Sequence, residues 1–221
     1  MDLDITILET EAELINAAVS ECTQVIQTKL DTGSEFNLAL TGGTLGNAIS
    51  KEIAEVLNQG DYSGLNIWWS DERYVPRDST ERNDLEFVRK LTNKNVKVHR
   101  ANDSVSLSQA AVELANEISG RDMDLIILGM GPDGHIASLF PGKIHESDNR
   151  EVFAITDSPK PPAERLTFSL KKINSAKEVW LVASGENKAD AVMGLVEGDK
   201  SLPVTHVNLS RLLVDSLAFG I

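Results

Sequence analysis

Residues 124–142 read DLIILGMGPDGHIASLFPG, an apolar run that stops in three closely spaced glycines, a Pro132-Asp133 pair and His135. Leu125, Ile126, Ile127 and Leu128 are continuously apolar and partly β-branched, the pattern of a strand buried on both faces in a parallel sheet. The glycines that follow permit backbone geometry that other residues resist. His135 thus stands just past the carboxyl end of a strand, where open α/β sheets place their ligands. The plainer alternative is a glycine-rich turn whose histidine is only a hydrogen-bonded structural residue, so the other strand ends have to decide.

Outward from this stretch, strand and helix patterns alternate. Residues 5–8 read as a first strand. Residues 11–30 read as a helix, with Leu14, Ala17, Ala18, Val25 and Ile26 at helical spacing. Residues 36–40 form a second strand, which runs into Thr41-Gly42-Gly43-Thr44-Leu45-Gly46-Asn47 and a helical AISKEIAEVL. Residues 66–70 (NIWWS) form a third strand that ends in Asp71-Glu72-Arg73, ahead of a polar loop to Asn83. Beyond it the pattern gives a helix at 85–91, a strand at 96–99 and a helix at 106–118. On the far side of the central loop come a strand at 151–156 and the non-helical Asp157-Ser158-Pro159-Lys160-Pro161-Pro162. Residues 165–170 read as a half-buried strand or helix lead-in, 178–183 as a strand, and Ser184 to Lys188 as the opening of a helix that reaches Val196. The tail holds 204–208 and an apolar segment at 212–219. There is no internal repeat or linker, so the expectation is one α/β domain over 1–221: a single doubly wound, mainly parallel sheet with helices on both faces, Rossmann-like in outline.

The chain has 221 residues, of which 41% are hydrophobic, enough for a substantial core. A net charge of −13 argues against nucleic acid or an anionic membrane surface as partner. It leaves room for a small anionic substrate, because a few local cations and backbone N–H groups outweigh distant charge at short range. Cys22 is the only cysteine, which rules out an intramolecular disulfide and fits a reducing cytoplasm. The acidic N-terminus and the lack of any long apolar run predict an unprocessed soluble protein.

The strand, glycine-rich loop and helix start at 36–57 suit an anion. A helix N-terminus offers unpaired N–H groups and partial positive charge, and Gly42 and Gly43 let a phosphate come close. The segment is neither a Walker A loop nor GxGxxG, and its simpler reading is a tight turn capped by Thr44. Gly129, Gly131 and Gly134 do match GxGxxG, but Pro141 follows too soon for the crossover helix that a dinucleotide site needs. The histidines have no metal-binding spacing, and His145-Glu146-Ser147-Asp148 reads as a polar surface turn. Ser138 lacks the GxSxG frame of a nucleophile elbow. What remains is His135 as a general acid or base, with Asp133 two residues earlier and Arg73, Arg165 and Lys188 at other loop ends.

LALTGGTLG (38–46), WWSDERYVP (68–76), LGMGPDGHIASLFPG (128–142), PPAERLTFSL (161–170) and SGENKADAV (184–192) together resemble the 6-phosphogluconolactonases, within the superfamily of glucosamine-6-phosphate deaminase-like folds. The resemblance spans nearly the whole chain. It implies hydrolysis of 6-phospho-D-glucono-1,5-lactone to 6-phosphogluconate in the oxidative pentose phosphate pathway, by a cytoplasmic monomer or homodimer with no metal or organic cofactor. By the same resemblance His135 is the catalytic histidine, while Gly42, Gly43, Thr44, Arg73, Arg165 and Lys188 meet the substrate and its phosphate. Asp71 and Asp133 match polar positions of the same pocket. Family members commonly carry Ser-Asn where this chain has Arg82-Asn83, which implies an extra positive charge near the mouth. The related deaminases place a glutamate where Phe140 stands here, and a phenylalanine cannot shuttle a proton. A non-catalytic sugar-phosphate sensor would need an attached DNA-binding segment, and none is legible.

Overall fold

A computed structural model of the chain describes residues 3–143 and 149–221. In chain order the elements are β1 (Asp4–Leu8), α1 (Glu11–Leu30), β2 (Phe36–Leu40), α2 (Gly43–Leu57), β3 (Leu65–Trp69), β4 (Asp71–Arg73), α3 (Leu85–Lys90) and β5 (Lys97–Val98). They continue with α4 (Leu107–Ile118), β6 (Leu125–Gly129), β7 (Val152–Ile155), β8 (Arg165–Phe168), α5 (Leu170–Asn174), β9 (Glu178–Ala183), α6 (Ala189–Glu197), β10 (Arg211–Asp215) and α7 (Ser216–Phe219).

Seven strands form one sheet in the order β1-β10-β9-β6-β2-β3-β5, and every pairing in it is parallel. The apolar run of β6 follows from its place near the middle. Leu125 and Ile127 face the α1 and α2 side among Leu38, Ile49 and Ile53, while Ile126 and Leu128 face the α4 side among Ala110 and Ile118. With both faces covered by helices, alternation gives way to continuous hydrophobicity. Neighbouring β2 is buried at every position for the same reason.

The chain runs outward from β2 to β3 and β5, then returns to lay β6 on the other side of β2. This reversal opens a crevice at the carboxyl ends of β2 and β6, the switch point at which open α/β sheets bind ligands. The mainly parallel sheet expected from the sequence is thus present, and a second sheet accompanies it. Three-residue β4 pairs antiparallel with β8, and β8 with β7. This small sheet stands over the crevice and carries Asp71, Arg73 and Arg165 to it.

β4 is held from behind by a buried ionic cluster. Glu72 accepts backbone N–H bonds from Arg73 (2.7 Å), Asn83 (2.7 Å) and Asp84 (3.0 Å). Arg82 donates to both oxygens of Asp84 and lies 3.8 Å from Glu72, and Arg100 reaches Asp84 from the other side at 2.7 Å. The Arg82 side chain is wholly buried, so the positive charge expected near the mouth is instead a structural counterion behind β4. A guanidinium forks readily between carboxylates, which is why it is drawn inward. The expected polar turn at His145 falls in 144–148, outside the described residues.

Loss of one partner from a buried pair leaves uncompensated charge, so R82A should lower stability by about 3–5 kcal/mol in urea unfolding. Removing Arg89, which pairs with Glu86 in the open, should leave the midpoint nearly unmoved.

Candidate active site

Beyond β6 the chain turns tightly, with Gly134 N–H donating to Gly131 C=O and Gly131 N–H to His135 C=O, both at 2.9 Å. A Cβ on Gly131 would lie 1.9 Å from His135 Nδ1 and 2.5 Å from Asp133 Oδ1. The missing side chain is therefore the space in which imidazole and carboxylate meet, at 2.5 Å between Nδ1 and Oδ1. An ionised carboxylate only accepts hydrogen bonds, so Nδ1 carries the proton and Nε2 keeps its lone pair. Buried Phe140 stacks on the imidazole, with ring centroids 4.8 Å apart. Burial pushes His135 below its usual pKa; the Asp133 bond opposes this and the Lys160 charge reinforces it. Burial raises Asp133, but the bond to His135 and the nearby positive charge outweigh it and hold the carboxyl below its usual range. A neutral imidazole beside an ionised aspartate is a general base ready for use.

Across the crevice, α2 starts without a side-chain cap. Helices α1 and α4 are capped by the hydroxyls of Thr10 and Ser106. The N-cap of α2 is Gly42, with no side-chain bond and no acidic residue in the first turn. Thr44 therefore does not cap this helix, and its first-turn N–H groups have no side-chain cap. Gly42 is required by its neighbour, since a Cβ there would lie 1.8 Å from Asn83 Oδ1. The Asn83 amide is fixed in turn by donating to Asp71 C=O at 2.9 Å.

The small sheet sets Arg73 directly opposite Arg165. Like charges facing across strands are unfavourable unless something negative stands by, and Asp71 Oδ2, 3.7 Å from Arg165, supplies only part of it. Burial and then the Arg73 charge lower the pKa of Arg165, against the pull of Asp71. Arg165 spends Nε and Nη2 on the carbonyls of Lys160, Pro161 and Pro162 at 3.1 Å each. Arg73 spends Nη1 on Glu81 C=O at 2.7 Å. Lys188, on the turn that follows β9, is lowered by burial and by Lys160, with Asp133 opposing.

These groups surround one cleft of about 490 Å³. Gly42, Gly43, Thr44, Asp71, Arg73, His135, Arg165 and Lys188 all line it, and Asp133 stands behind His135. Lys160, Asn83, Glu11 and Asn187 line it too and were not singled out from sequence. Lys160 was hidden in a proline-rich stretch that reads as a solvated loop. Ser138 faces away from any nucleophilic role, donating to Asp71 Oδ2 at 2.8 Å while almost fully buried. Among the described residues no group of three or more His, Cys, Asp or Glu converges on a metal position. No helix among them is long and apolar enough to cross a membrane.

Residues 9–214 match the family model for glucosamine-6-phosphate isomerases/6-phosphogluconolactonase. A 6-phosphogluconolactonase of Mycobacterium leprae is 32% identical over 92% of this chain and 90% of its own length. The structure of a 6-phosphogluconolactonase from Thermotoga maritima superimposes with a TM-score of 0.85, at 24% identity over 97% of this chain and 99% of that one. A monomeric glucosamine-6-phosphate deaminase superimposes almost as well, with a TM-score of 0.82 at 19% identity over 99% of each chain. The scaffold alone does not separate these two activities.

A methyl group at residue 131 should drive the imidazole off Asp133. G131A is expected to lose the low-field Nδ1–H proton resonance of a carboxylate-bound histidine while keeping the far-UV circular dichroism of the fold. A retained resonance would contradict the close approach. The depressed histidine also sets a sign for stability. Between its folded pKa and the unfolded value of about 6.5, the unfolded chain binds the extra proton. His135 therefore makes stability fall as pH drops through that window, and H135N should flatten that part of a stability-versus-pH curve.

Proposed function

The chain belongs to the glucosamine-6-phosphate isomerase/6-phosphogluconolactonase family, and on that premise we propose that it hydrolyses 6-phospho-D-glucono-1,5-lactone to 6-phosphogluconate in the oxidative pentose phosphate pathway. The observation that carries this reading is the His135–Asp133 hydrogen bond with buried Phe140, not a carboxylate, stacked on the imidazole. Deaminating isomerisation needs carboxylates to move protons between carbons. Lactone hydrolysis needs only one base that later serves as an acid.

In this reading the phosphate rests on the uncapped start of α2 at Gly42, Gly43 and Thr44, with Arg73 and Lys188 neutralising it. Arg165 leaves one edge of its guanidinium toward the cleft and Asp71 orients it. His135 Nε2 takes a proton from water as the water oxygen attacks the lactone carbonyl. The imidazolium so formed is stabilised through Nδ1–H by Asp133. As the tetrahedral intermediate collapses, the bond from C1 to the ring oxygen breaks and the same proton passes from Nε2 to that oxygen. Acid–base catalysis of this kind gives roughly 10²–10⁴-fold, and anchoring of the phosphate supplies the orientation that adds to it. No metal or organic cofactor takes part. The protein acts as one domain over 1–221, as a cytoplasmic monomer or homodimer whose partner is its small-molecule substrate.

The test is loss of freshly generated lactone above its spontaneous hydrolysis, run beside ammonia release from glucosamine 6-phosphate. The expected result is acceleration of the first, none of the second, and a fall of at least about 10²-fold in H135A. The acidic limb of kcat/KM should lie below about 6.5, because burial lowers His135. Undiminished lactone turnover by H135A would overturn the mechanism.

A further inference from the structure

Lys160 reaches the catalytic pair from outside the loop that carries it. Its Nζ lies 3.3 Å from His135 Nδ1 and 3.5 Å from Asp133 Oδ1. Its backbone is fixed independently of its side chain, because its carbonyl accepts from Arg165 Nη2 at 3.1 Å and from Ser158 Oγ at 2.9 Å. The rest of that guanidinium grips the carbonyls of Pro161 and Pro162. The fold thus spends a buried arginine on holding the stretch from which one lysine extends to the dyad.

We propose that Lys160 acts through His135 as a positioning residue, its ammonium opposing formation of the imidazolium so that His135 waits neutral and returns its proton readily. Asp133 alone would do the reverse, because a carboxylate favours the imidazolium and would leave the histidine protonated and reluctant to give the proton up. With the ammonium donating to Asp133 and its charge standing beside the protonated Nδ1, Asp133 still fixes the tautomer while its pull on the proton is offset. Lactone hydrolysis asks this of one imidazole, which must be a base in the first half of the reaction and an acid in the second. Among the described residues, the charged groups that act on His135 are Asp133 on its own loop, Lys160 between β7 and β8, and Asp71 on β4. Lys188 is one step further out, where Lys160 and Asp133 act on it in opposite senses. Asp133 and Asp71 favour the imidazolium, which leaves Lys160 as the opposing charge in direct contact.

The experiment is NMR titration of the His135 imidazole in the wild type, K160M and K160R, with H135N used to assign the signal. Methionine keeps an unbranched stem without the charge, and arginine keeps the charge. The Lys160 side chain is 45% exposed, so the interaction is taken at close to solvent screening. The His135 midpoint should then rise by about one pH unit in K160M and return most of the way in K160R. A K160M titration that superimposes on the wild type overturns the proposal. So does a K160R titration that follows K160M, since the stem and not the charge would then be responsible. The inference rests on the lactone-hydrolysis reading for its role in turnover, and the titration is independent of activity. If the NMR midpoint moves while the acidic limb of kcat/KM stays, Lys160 does tune the imidazole, and it is the assignment of His135 as base that fails.

Discussion

The contact between Asp133 and His135 is the constraint around which the chain is arranged. Two polar side chains two residues apart can meet at 2.5 Å only if the loop doubles back, and the doubling back fills the volume that a side chain at 131 would need. That loop must be delivered by something rigid. β6 serves because it lies fully buried between β9 and β2, with four of its five residues almost inaccessible. The apolar run and the glycine break are thus two halves of one device: the first fixes where the loop begins, the second lets it curl. The literal GxGxxG match is a by-product, because the glycines make room for protein atoms and not for a pyrophosphate.

Charge is handled in a similarly local way. The chain is acidic overall, with a net charge of −13, yet the cleft collects Arg73, Lys160, Arg165 and Lys188. Salt limits the distant acidic surface to a weak effect inside the cleft, while cations within a few ångströms of one another or of a guest fall well inside the screening length. The two arginines are partly committed to loop carbonyls, which holds their guanidinium planes still. The lysines are held differently: Lys160 reaches the His135–Asp133 pair, and Lys188 stands on the turn after β9 with its pKa lowered by burial.

Much of this was legible. The central strand, the glycine-rich turn, the place of His135 at its end and the glycine-rich start of α2 all follow from short-range patterns, whose causes lie within a few residues of each other. What was not legible depended on distant partners. Arg82 reads as a charge near the mouth because its neighbour Asp84 does not by itself announce that Glu72 will join the pair and that Arg100 will hold Asp84 from another strand end. The simpler reading of Thr44 as a cap fails because the helix begins one residue earlier, with Gly42 at the cap position and Thr44 inside the first turn. β4, at three residues, is too short to show a period, so the small sheet that brings Arg73 opposite Arg165 appears only once β8 is paired with it. Lys160 sits among prolines that mark a loop without saying where it leads.

The similarity in fold to both a lactonase and a deaminase sharpens what decides between them. With the fold held in common, what decides has to be sought in side chains, and those around His135 are the ones to compare. Phe140 bears on this twice. By packing on the imidazole it removes water from one face, adding to the burial that keeps His135 neutral. By being apolar it leaves the histidine without a carboxylate on that side to relay protons onward. An imidazole held by Asp133 at Nδ1 and covered by Phe140 on one face keeps only its cleft side open, and in the proposed reaction that side meets first a water and then the leaving ring oxygen.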